Sequence, residues 1–299
     1  MSAATALLRA ARPLHFAKNL LAFAPLVLAH RAGESERLAA AAIAFVCLCL
    51  VASAGYLAND LADREGDRAD PVRRARGVAA GEVSVRGALV ACAVAAASGL
   101  ALAWTTLPGE AARLIGNYLL LTLVYSFALK RVVGLDVLAL VALYLLRLFA
   151  GGAAAGVPVS DWLWSLAAAL FASLALLKRA LALRAARERG LDALPRRGYR
   201  VAHLAAVERV GVLAAVATVV VLALYLRSDT MVRLYGSGSG SASPLAWLAC
   251  VIVGGWLARM WHVARAGRMG GDPVLFALRD PASLVAGAAL VGLGVALSG

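Results

Sequence analysis

The stretch Asn59-Asp60-Leu61-Ala62-Asp63-Arg64-Glu65-Gly66-Asp67 follows directly on the apolar run 46–58, so it places three aspartates at the end of a hydrophobic segment. Asp60, Asp63 and Asp67 are spaced i, i+3 and i+7, and they share one face within two turns if the helix continues. Three neighbouring carboxylates repel each other unless a cation lies between them. Mg²⁺ suits this arrangement because it prefers carboxylate oxygens and commonly bridges one or two carboxylates to substrate phosphates. The spacing therefore predicts a magnesium site.

Arginines surround and follow the aspartates; those after Asp67 are Arg68, Arg73, Arg74 and Arg76. A guanidinium group binds phosphate oxygens as a planar fork, which an ammonium group does not reproduce. Metal-binding acids beside phosphate-binding bases predict a diphosphate ligand, whose charge Arg68, Arg73 and Arg76 would neutralise. The alternative is a solvated loop whose charges pair with each other, which is a common role of charge runs.

The composition places this cluster in a membrane protein. Of the 299 residues, 62% are hydrophobic and 16% are charged, and the mean hydropathy is +0.81, whereas soluble domains are roughly half apolar and a quarter charged. Disorder, a collagen-like fibre and a disulfide scaffold are excluded together. The net charge of +13 is explained by basic residues in the connections between apolar runs, where lipid head groups favour them. Membrane lipids are therefore the predicted partner, and nucleic acid is not.

Nine apolar segments approach the roughly 20 residues that a membrane-spanning helix needs. They are residues 17–31, 37–57, 87–107, 112–129, 133–156, 161–181, 207–226, 245–264 and 281–298. Most Lys and Arg residues lie in the N-terminal tail and in the connections after the even-numbered segments. This asymmetry predicts an integral, multi-pass protein of the cell (inner) membrane with a cytoplasmic N-terminus, an outer C-terminus and a site that faces the cytoplasm.

Two connections are long, polar and rich in arginine: about 58–86 after the second segment and about 182–206 after the sixth. Long connections in a compact fold usually carry function. We expect them to form a polar cytoplasmic cap over one all-α transmembrane domain that comprises residues 1–299. Gly151 and Gly152 predict close helix packing near the end of the fifth span.

The pattern N-D-x-x-D-x-x-x-D at the end of the second of nine spans resembles the UbiA superfamily of intramembrane prenyltransferases. In that family such aspartates hold magnesium and the diphosphate of an activated donor. Residues 12–19, 125–131, 135–137 and 272–280 also resemble family segments. The resemblance implies a UbiA-type bundle of nine transmembrane helices with Mg²⁺ as cofactor.

The resemblance also extends the candidate site. It implies that the catalytic residues are Asp60, Asp63, Asp67 and Lys130, with the three aspartates as metal ligands. Further substrate-binding candidates on the same basis are Lys18, Asn59, Tyr125 and Arg131. Tyr125 has an alternative role in an interfacial aromatic belt. Arg147 lies inside the fifth span, where a charge is costly, which predicts a role in a pocket or a polar network.

The segment after the sixth span resembles the decaprenyl-phosphate phosphoribosyltransferase branch of the family. Aromatic prenyltransferases carry a second aspartate-rich motif there, whereas this chain has Lys178 and Arg179, followed before Arg200 by only two acids, Glu188 and Asp192. A basic cluster suits two phosphorylated substrates better than one diphosphate and a neutral ring. Lys178 and Arg179, with Lys18, are therefore candidates to bind a lipid phosphate.

These expectations combine into a Mg²⁺-dependent intramembrane transferase that moves 5-phosphoribose from phosphoribosyl diphosphate onto a polyprenyl phosphate. The first alternative transfers a prenyl group from a prenyl diphosphate lipid to an aromatic or other lipophilic acceptor. An alternative of another class is a non-catalytic lipid transporter or binder, although transporters place ionisable groups near the bilayer midplane. The sequence leaves homo-oligomerisation open.

Overall fold

A computed structural model describes residues 3–69, 74–75, 77–229, 231 and 243–298. Its α-helices are α1 (Ala3–Ala10), α2 (Ala24–Leu28), α3 (Ser35–Ala69), α4 (Val85–Thr106), α5 (Gly109–Phe127), α6 (Leu135–Ala155), α7 (Asp161–Glu188), α8 (Leu204–Leu226), α9 (Leu248–Arg265), α10 (Pro273–Ala277) and α11 (Pro281–Ser298). Shorter 3₁₀ segments are Pro13–Phe23, Leu129–Arg131, Val201–His203 and Pro244–Trp247. The all-α fold class is confirmed.

Six helical stretches of the described chain are long and apolar enough to cross a membrane: Ser35–Ala69, Val85–Thr106, Leu135–Ala155, Asp161–Glu188, Val201–Leu226 and Pro244–Arg265. The other three predicted spans coincide with shorter or more polar helices. Pro13–Leu28 and Pro281–Leu297 are shorter, and α5 contains Glu110, Arg113 and Asn117. The count of nine spans therefore stays a prediction, as does the cytoplasmic cap.

The helices on either side of both long connections extend further than the sequence predicted. α3 continues to Ala69, and α7 continues to Glu188, while helical structure resumes at Val201. The predicted loops 58–86 and 182–206 are therefore shorter than expected. For α7 the physical reason is composition, because residues 182–188 are alanine, leucine, arginine and glutamate, which are all strong helix formers.

The described residues divide into two compact units. The first lies within Met1–Val159 and Arg196–Gly198, and the second lies within Ser160–Pro195 and Tyr199–Gly299. In the first unit, α3 to α6 pack around a core of small and aliphatic side chains that includes Leu48, Val51 and Ile115. In the second unit, α7 packs along α8. That residues 1–299 form a single domain stays a prediction.

The 3₁₀ segment Pro13–Phe23 packs directly on α6 in the first unit. At 11 residues it is much longer than most 3₁₀ helices. A Cβ added to Gly151 would lie 2.0 Å from the carbonyl oxygen of Ala22 and 2.4 Å from its Cα. The glycine therefore lets two backbones meet, in agreement with the close packing that the sequence predicted at this position.

Gly151→Ala is expected to lower the free energy of unfolding by about 1–3 kcal/mol, because the new methyl group collides with backbone atoms that cannot rotate away. The matched control is Gly116→Ala in α5, where the nearest neighbour of an added Cβ is Leu100 Cδ2 at 4.0 Å. Thermal unfolding in detergent measures both variants. Equal unfolding midpoints would contradict this account of the contact.

Candidate active site

The acidic face of α3 is formed by Asp60, Asp63 and Asp67. The helix passes through all three positions without a break, so the continuation that the sequence assumed is confirmed. The aspartates are only 3%, 8% and 2% exposed. Buried carboxylates require charged or hydrogen-bonding partners, because an isolated buried charge is strongly disfavoured. Their neighbours therefore decide what this face can do.

Lys130 meets the acidic face from the 3₁₀ turn after α5. Its Nζ donates hydrogen bonds to Asn59 Oδ1 at 3.0 Å and to both carboxylate oxygens of Asp63, at 2.8 and 2.9 Å. Burial lowers the pKa of Lys130, although the hydrogen bond to Asp63 opposes this shift. Asn59, Asp63 and Lys130 of the predicted site are thus in contact, although Asp63 and Lys130 are 67 positions apart in the sequence.

Two arginines that the sequence analysis did not assign to the site also contact this face. Arg12 forms an ion pair with Asp60, and its guanidinium lies over the ring of Tyr56, 5.1 Å from the centroid. Arg196 Nη1 lies 3.5 Å from Asp63 Oδ1. The signal for Arg12 was its place in the family-like segment 12–19, whereas nothing local distinguished Arg196 from the other arginines of its connection.

Arg196 also crosses the surface of α3. Its Nη2 donates a hydrogen bond to the carbonyl oxygen of Ala62 at 3.0 Å. The guanidinium lies against Gly66, where an added Cβ would be 2.7 Å from Nη1. The glycine in the acidic stretch therefore leaves room for a basic side chain.

Arg12 and Arg196 share an unusual backbone conformation, with φ of 55° and 60°. For residues other than glycine this left-handed region costs about 1–2 kcal/mol. Such strain persists where the surroundings impose it, and it is concentrated at functional sites. The contacts around both arginines therefore hold their backbone in this conformation.

A second set of contacts lies beside Lys130. Arg197 Nη1 donates a hydrogen bond to the hydroxyl of Tyr125 at 3.2 Å and lies 3.9 Å from Asp136 Oδ2. Asp136 is fully buried. Tyr125 is therefore tied to a cation on the same unit, which favours a polar role over an aromatic belt.

Arg147 is the centre of a buried polar network. Its Nε donates to Asn19 Oδ1 at 2.8 Å, its Nη1 to the Leu143 carbonyl at 2.7 Å, and its Nη2 to the Tyr118 hydroxyl at 2.6 Å. Its guanidinium also lies over the rings of Tyr118 and Tyr144. Arg147 therefore lies in a polar network, as expected for a charge within a span. It joins the 3₁₀ segment to α5 and α6.

The remaining candidates of the first unit are more dispersed. Lys18 is buried next to Asn19, Arg68 Nε donates to the Ala79 carbonyl at 3.1 Å, and Arg131 is exposed. The predicted phosphate ligands Arg73 and Arg76 lie outside the described residues. Their proposed contact with a diphosphate stays a prediction.

The basic pair after the sixth predicted span belongs to the second unit. Lys178 Nζ donates to Asp272 Oδ2 at 2.8 Å, and Asp272 Oδ1 accepts hydrogen bonds from the first turn of α10. Arg179 is buried, with its guanidinium 5.4 Å from the ring centroid of Tyr199. That these two residues bind a lipid phosphate stays a prediction.

The donor chemistry of the acidic face suits magnesium. Three carboxylates and the Asn59 amide supply oxygen ligands, which Mg²⁺ prefers. In the part of the chain that the structure describes, no three His, Cys, Asp or Glu side chains are gathered closely enough to hold a metal ion. Arg12 and Lys130 instead neutralise Asp60 and Asp63. A metal would therefore replace basic partners on this face.

Comparisons with known proteins identify the fold and the family. A model of the UbiA prenyltransferase family matches residues 20–280. A UbiA homolog from Archaeoglobus fulgidus, solved bound to GPP and Mg²⁺, superimposes with a TM-score of 0.67 at 17% identity, covering 98% of this chain and 99% of that one. The apo structure of a UbiA homolog from Aeropyrum pernix K1 has a TM-score of 0.60 at 20% identity, covering 97% and 98%. At these identities the structural similarity shows the fold alone.

Three curated relatives are similar in sequence. The y4nM protein of Sinorhizobium fredii is 37% identical over 91% of this chain, which spans only 52% of that protein. The nodulation protein NoeC of Azorhizobium caulinodans is 34% identical over 96% of this chain and 91% of its own length. The decaprenyl-phosphate phosphoribosyltransferase of Mycolicibacterium smegmatis is 37% identical over 52% of this chain and 50% of its own.

Proposed function

The chain belongs to the UbiA prenyltransferase family, and from this premise we propose that it transfers 5-phosphoribose from phosphoribosyl diphosphate to a polyprenyl phosphate. The family is one of transferases, which argues against a transporter or passive lipid binder. Its apolar helices make the chain a multi-pass membrane protein. We further propose that the N-terminus and the acidic face of α3 are cytoplasmic, because most Lys and Arg residues lie on that side of the predicted topology.

The observation that carries the proposal is the contact of buried acids with basic side chains in the first unit, among which Lys130 is buried, Arg12 is half-buried and Arg196 is exposed. Asp60 and Asp63 supply ligands for a metal, while Arg12, Lys130 and Arg196 supply donors for phosphate oxygens. Mg²⁺, held by the aspartates with Asn59, would neutralise the diphosphate as negative charge develops on it. Lys130 and the arginines would stabilise the same charge by hydrogen bonding.

In the proposed reaction a phosphate oxygen of the lipid attacks C1 of the ribose. The bond between C1 and the diphosphate oxygen breaks with its electron pair on the leaving group, and inorganic diphosphate is released. The side chains contribute charge stabilisation and positioning, and no covalent intermediate with the protein is required.

Two features favour a phosphoribosyl donor. The segment from Lys178 to Arg200 is basic, with Glu188 and Asp192 as its only acids, and this suits a phosphorylated acceptor. The similarity to the Mycolicibacterium smegmatis enzyme, over about half of each chain, supports the same substrates. The second candidate is prenyl transfer, which is favoured by the GPP bound to the structural neighbour from Archaeoglobus fulgidus.

An assay of the purified protein in detergent distinguishes the two reactions. With radiolabelled phosphoribosyl diphosphate, polyprenyl phosphate and Mg²⁺, we expect a labelled lipid that EDTA abolishes and that Asp67→Asn does not form. A parallel reaction contains geranyl diphosphate and hydroxybenzoate. Product in the parallel reaction alone would replace the proposal with prenyl transfer, and no product in either would reject both substrate pairs.

A further inference from the structure

An open groove runs between α8 and α9 in the second unit. Its volume is about 470 Å³, within the range of small-molecule sites. Aliphatic side chains form most of its walls, among them Val212, Val216, Val220 and Leu257, whereas His262 and Arg265 lie at one end. The groove is therefore apolar along its length and basic at its end.

The floor of the groove is held in place by a chain of hydrogen bonds. Trp261 is buried, and its Nε1 donates to Ser173 Oγ at 3.0 Å. Ser173 Oγ in turn donates to the Gly211 carbonyl at 2.9 Å. A Cβ at Gly211 would lie 2.3 Å from the Trp261 ring, so the missing side chain lets the indole pack against α8. The floor is thus a fixed surface.

Gly254 lines the groove and adds no side chain to its wall. The nearest neighbour of a Cβ added there is Val219 Cγ2 at 3.4 Å, an ordinary van der Waals contact. A larger side chain at this position would occupy the groove. The adjacent Gly255 is exposed and has nothing within 4 Å of an added Cβ.

Both walls of the groove belong to stretches that are long and apolar enough to cross a membrane, Val201–Leu226 and Pro244–Arg265. In a membrane the groove would therefore face hydrocarbon. The basic end lies at the last turn of α9. Glu208 is the acid there, but Arg184 already holds it by two hydrogen bonds of 2.8 and 2.5 Å. Arg265 lies further away, at 3.5 Å. The end of the groove therefore carries net positive charge.

We propose that this groove is a binding site for an anionic membrane phospholipid, with one acyl chain along the valine-lined walls and the head-group phosphate at Arg265 and His262. Charge complementarity selects an anionic head group over a zwitterionic one. A phospholipid is the amphiphile present at the highest concentration around these helices, so mass action favours it as the occupant. The site does not depend on the proposed transferase reaction.

The test compares Gly254→Leu, which fills the groove, with Gly255→Leu, which adds the same side chain to the same helix outside it. Delipidated full-length protein in detergent is titrated with phosphatidylglycerol and with phosphatidylcholine, and bound lipid is measured by native mass spectrometry. We expect wild type and Gly255→Leu to prefer phosphatidylglycerol, and Gly254→Leu to bind it about tenfold more weakly. Arg265→Gln should reduce the preference for phosphatidylglycerol about fivefold.

Four outcomes would overturn the proposal. The first is equal binding of the two phospholipids by wild type, and the second is equal binding of phosphatidylglycerol by the two leucine variants. The third is displacement of phosphatidylglycerol by an equal concentration of polyprenyl phosphate. The fourth is a change of oligomeric state in Gly254→Leu without a change in bound lipid. The third would make the groove a substrate site, and the fourth would make it a contact between copies. Thermal unfolding of every variant verifies that each is folded.

Discussion

Lys130→Met is expected to reduce transferase activity by about 10²–10³-fold, which is the usual effect of removing one preorganised electrostatic donor. Lys130 Nζ bonds both oxygens of Asp63, and methionine keeps the apolar stem while it removes the charge. The buried carboxylate then loses its closest partner, which should lower the free energy of unfolding by about 3–5 kcal/mol. Initial rates with saturating substrates and denaturant unfolding measure the two effects.

The matched control for Lys130→Met is Arg113→Met, because Arg113 is an exposed cation on α5. It should retain activity and stability. The double variant Lys130→Met/Asp63→Asn should recover stability relative to Lys130→Met, since it removes the uncompensated charge. Full activity in Lys130→Met would exclude Lys130 from the charge stabilisation proposed for the diphosphate.

The acidic face was predictable from sequence because its geometry is local. Asp60, Asp63 and Asp67 lie within eight residues, and helical spacing alone puts them on one side of α3. The same reasoning applies to Arg147, because a charge inside an apolar run requires polar partners. In each case the prediction used only positions within a single helix.

The partners of these residues were not predictable in the same way. Arg12 reaches Asp60 across 48 positions of sequence, and Arg196 comes from a connection that has several equivalent arginines. Such pairs depend on how the chain folds back on α3, and helical periodicity contains no information about that path. The left-handed backbone of Arg12 and Arg196 is likewise imposed by tertiary contacts, since neither is a residue type that favours it.

The connections were longer in the prediction than in the structure for a related reason. A change from apolar to charged residues marks where a helix leaves hydrocarbon, and after the sixth segment the prediction placed the end of the helix at this change. α7 instead continues to Glu188, because alanine, leucine and arginine keep a high helix propensity after hydrophobicity has fallen. Hydropathy and helix propensity therefore place the end of α7 at different residues.

Asp60→Asn is expected to reduce activity by about 10²–10³-fold and to weaken metal binding, because it replaces a charged oxygen ligand with a neutral amide. The side chain keeps its shape, so the packing around this buried position is preserved. Mn²⁺ binding by the purified protein, followed by electron paramagnetic resonance, separates the loss of metal affinity from the loss of turnover.

Arg12→Ala should change metal affinity in the opposite direction. Arg12 is the ion-pair partner of Asp60, and a guanidinium and a divalent cation compete for the same carboxylate oxygens. Removing the arginine should therefore tighten Mn²⁺ binding in the absence of substrate, by about fivefold for an interaction of roughly 1 kcal/mol. Activity should nevertheless fall, since Arg12 is proposed to donate to the diphosphate.

The control for Arg12→Ala is Arg9→Ala, which removes an exposed arginine from α1 of the same unit and should leave Mn²⁺ affinity unchanged. Weaker Mn²⁺ binding by Arg12→Ala, as expected for Asp60→Asn, would contradict this competition. It would mean that Arg12 holds the Asp60 carboxylate in the geometry that the metal needs. Tighter metal binding together with slower turnover would instead identify Arg12 as a cation that neutralises Asp60 until metal and diphosphate arrive together.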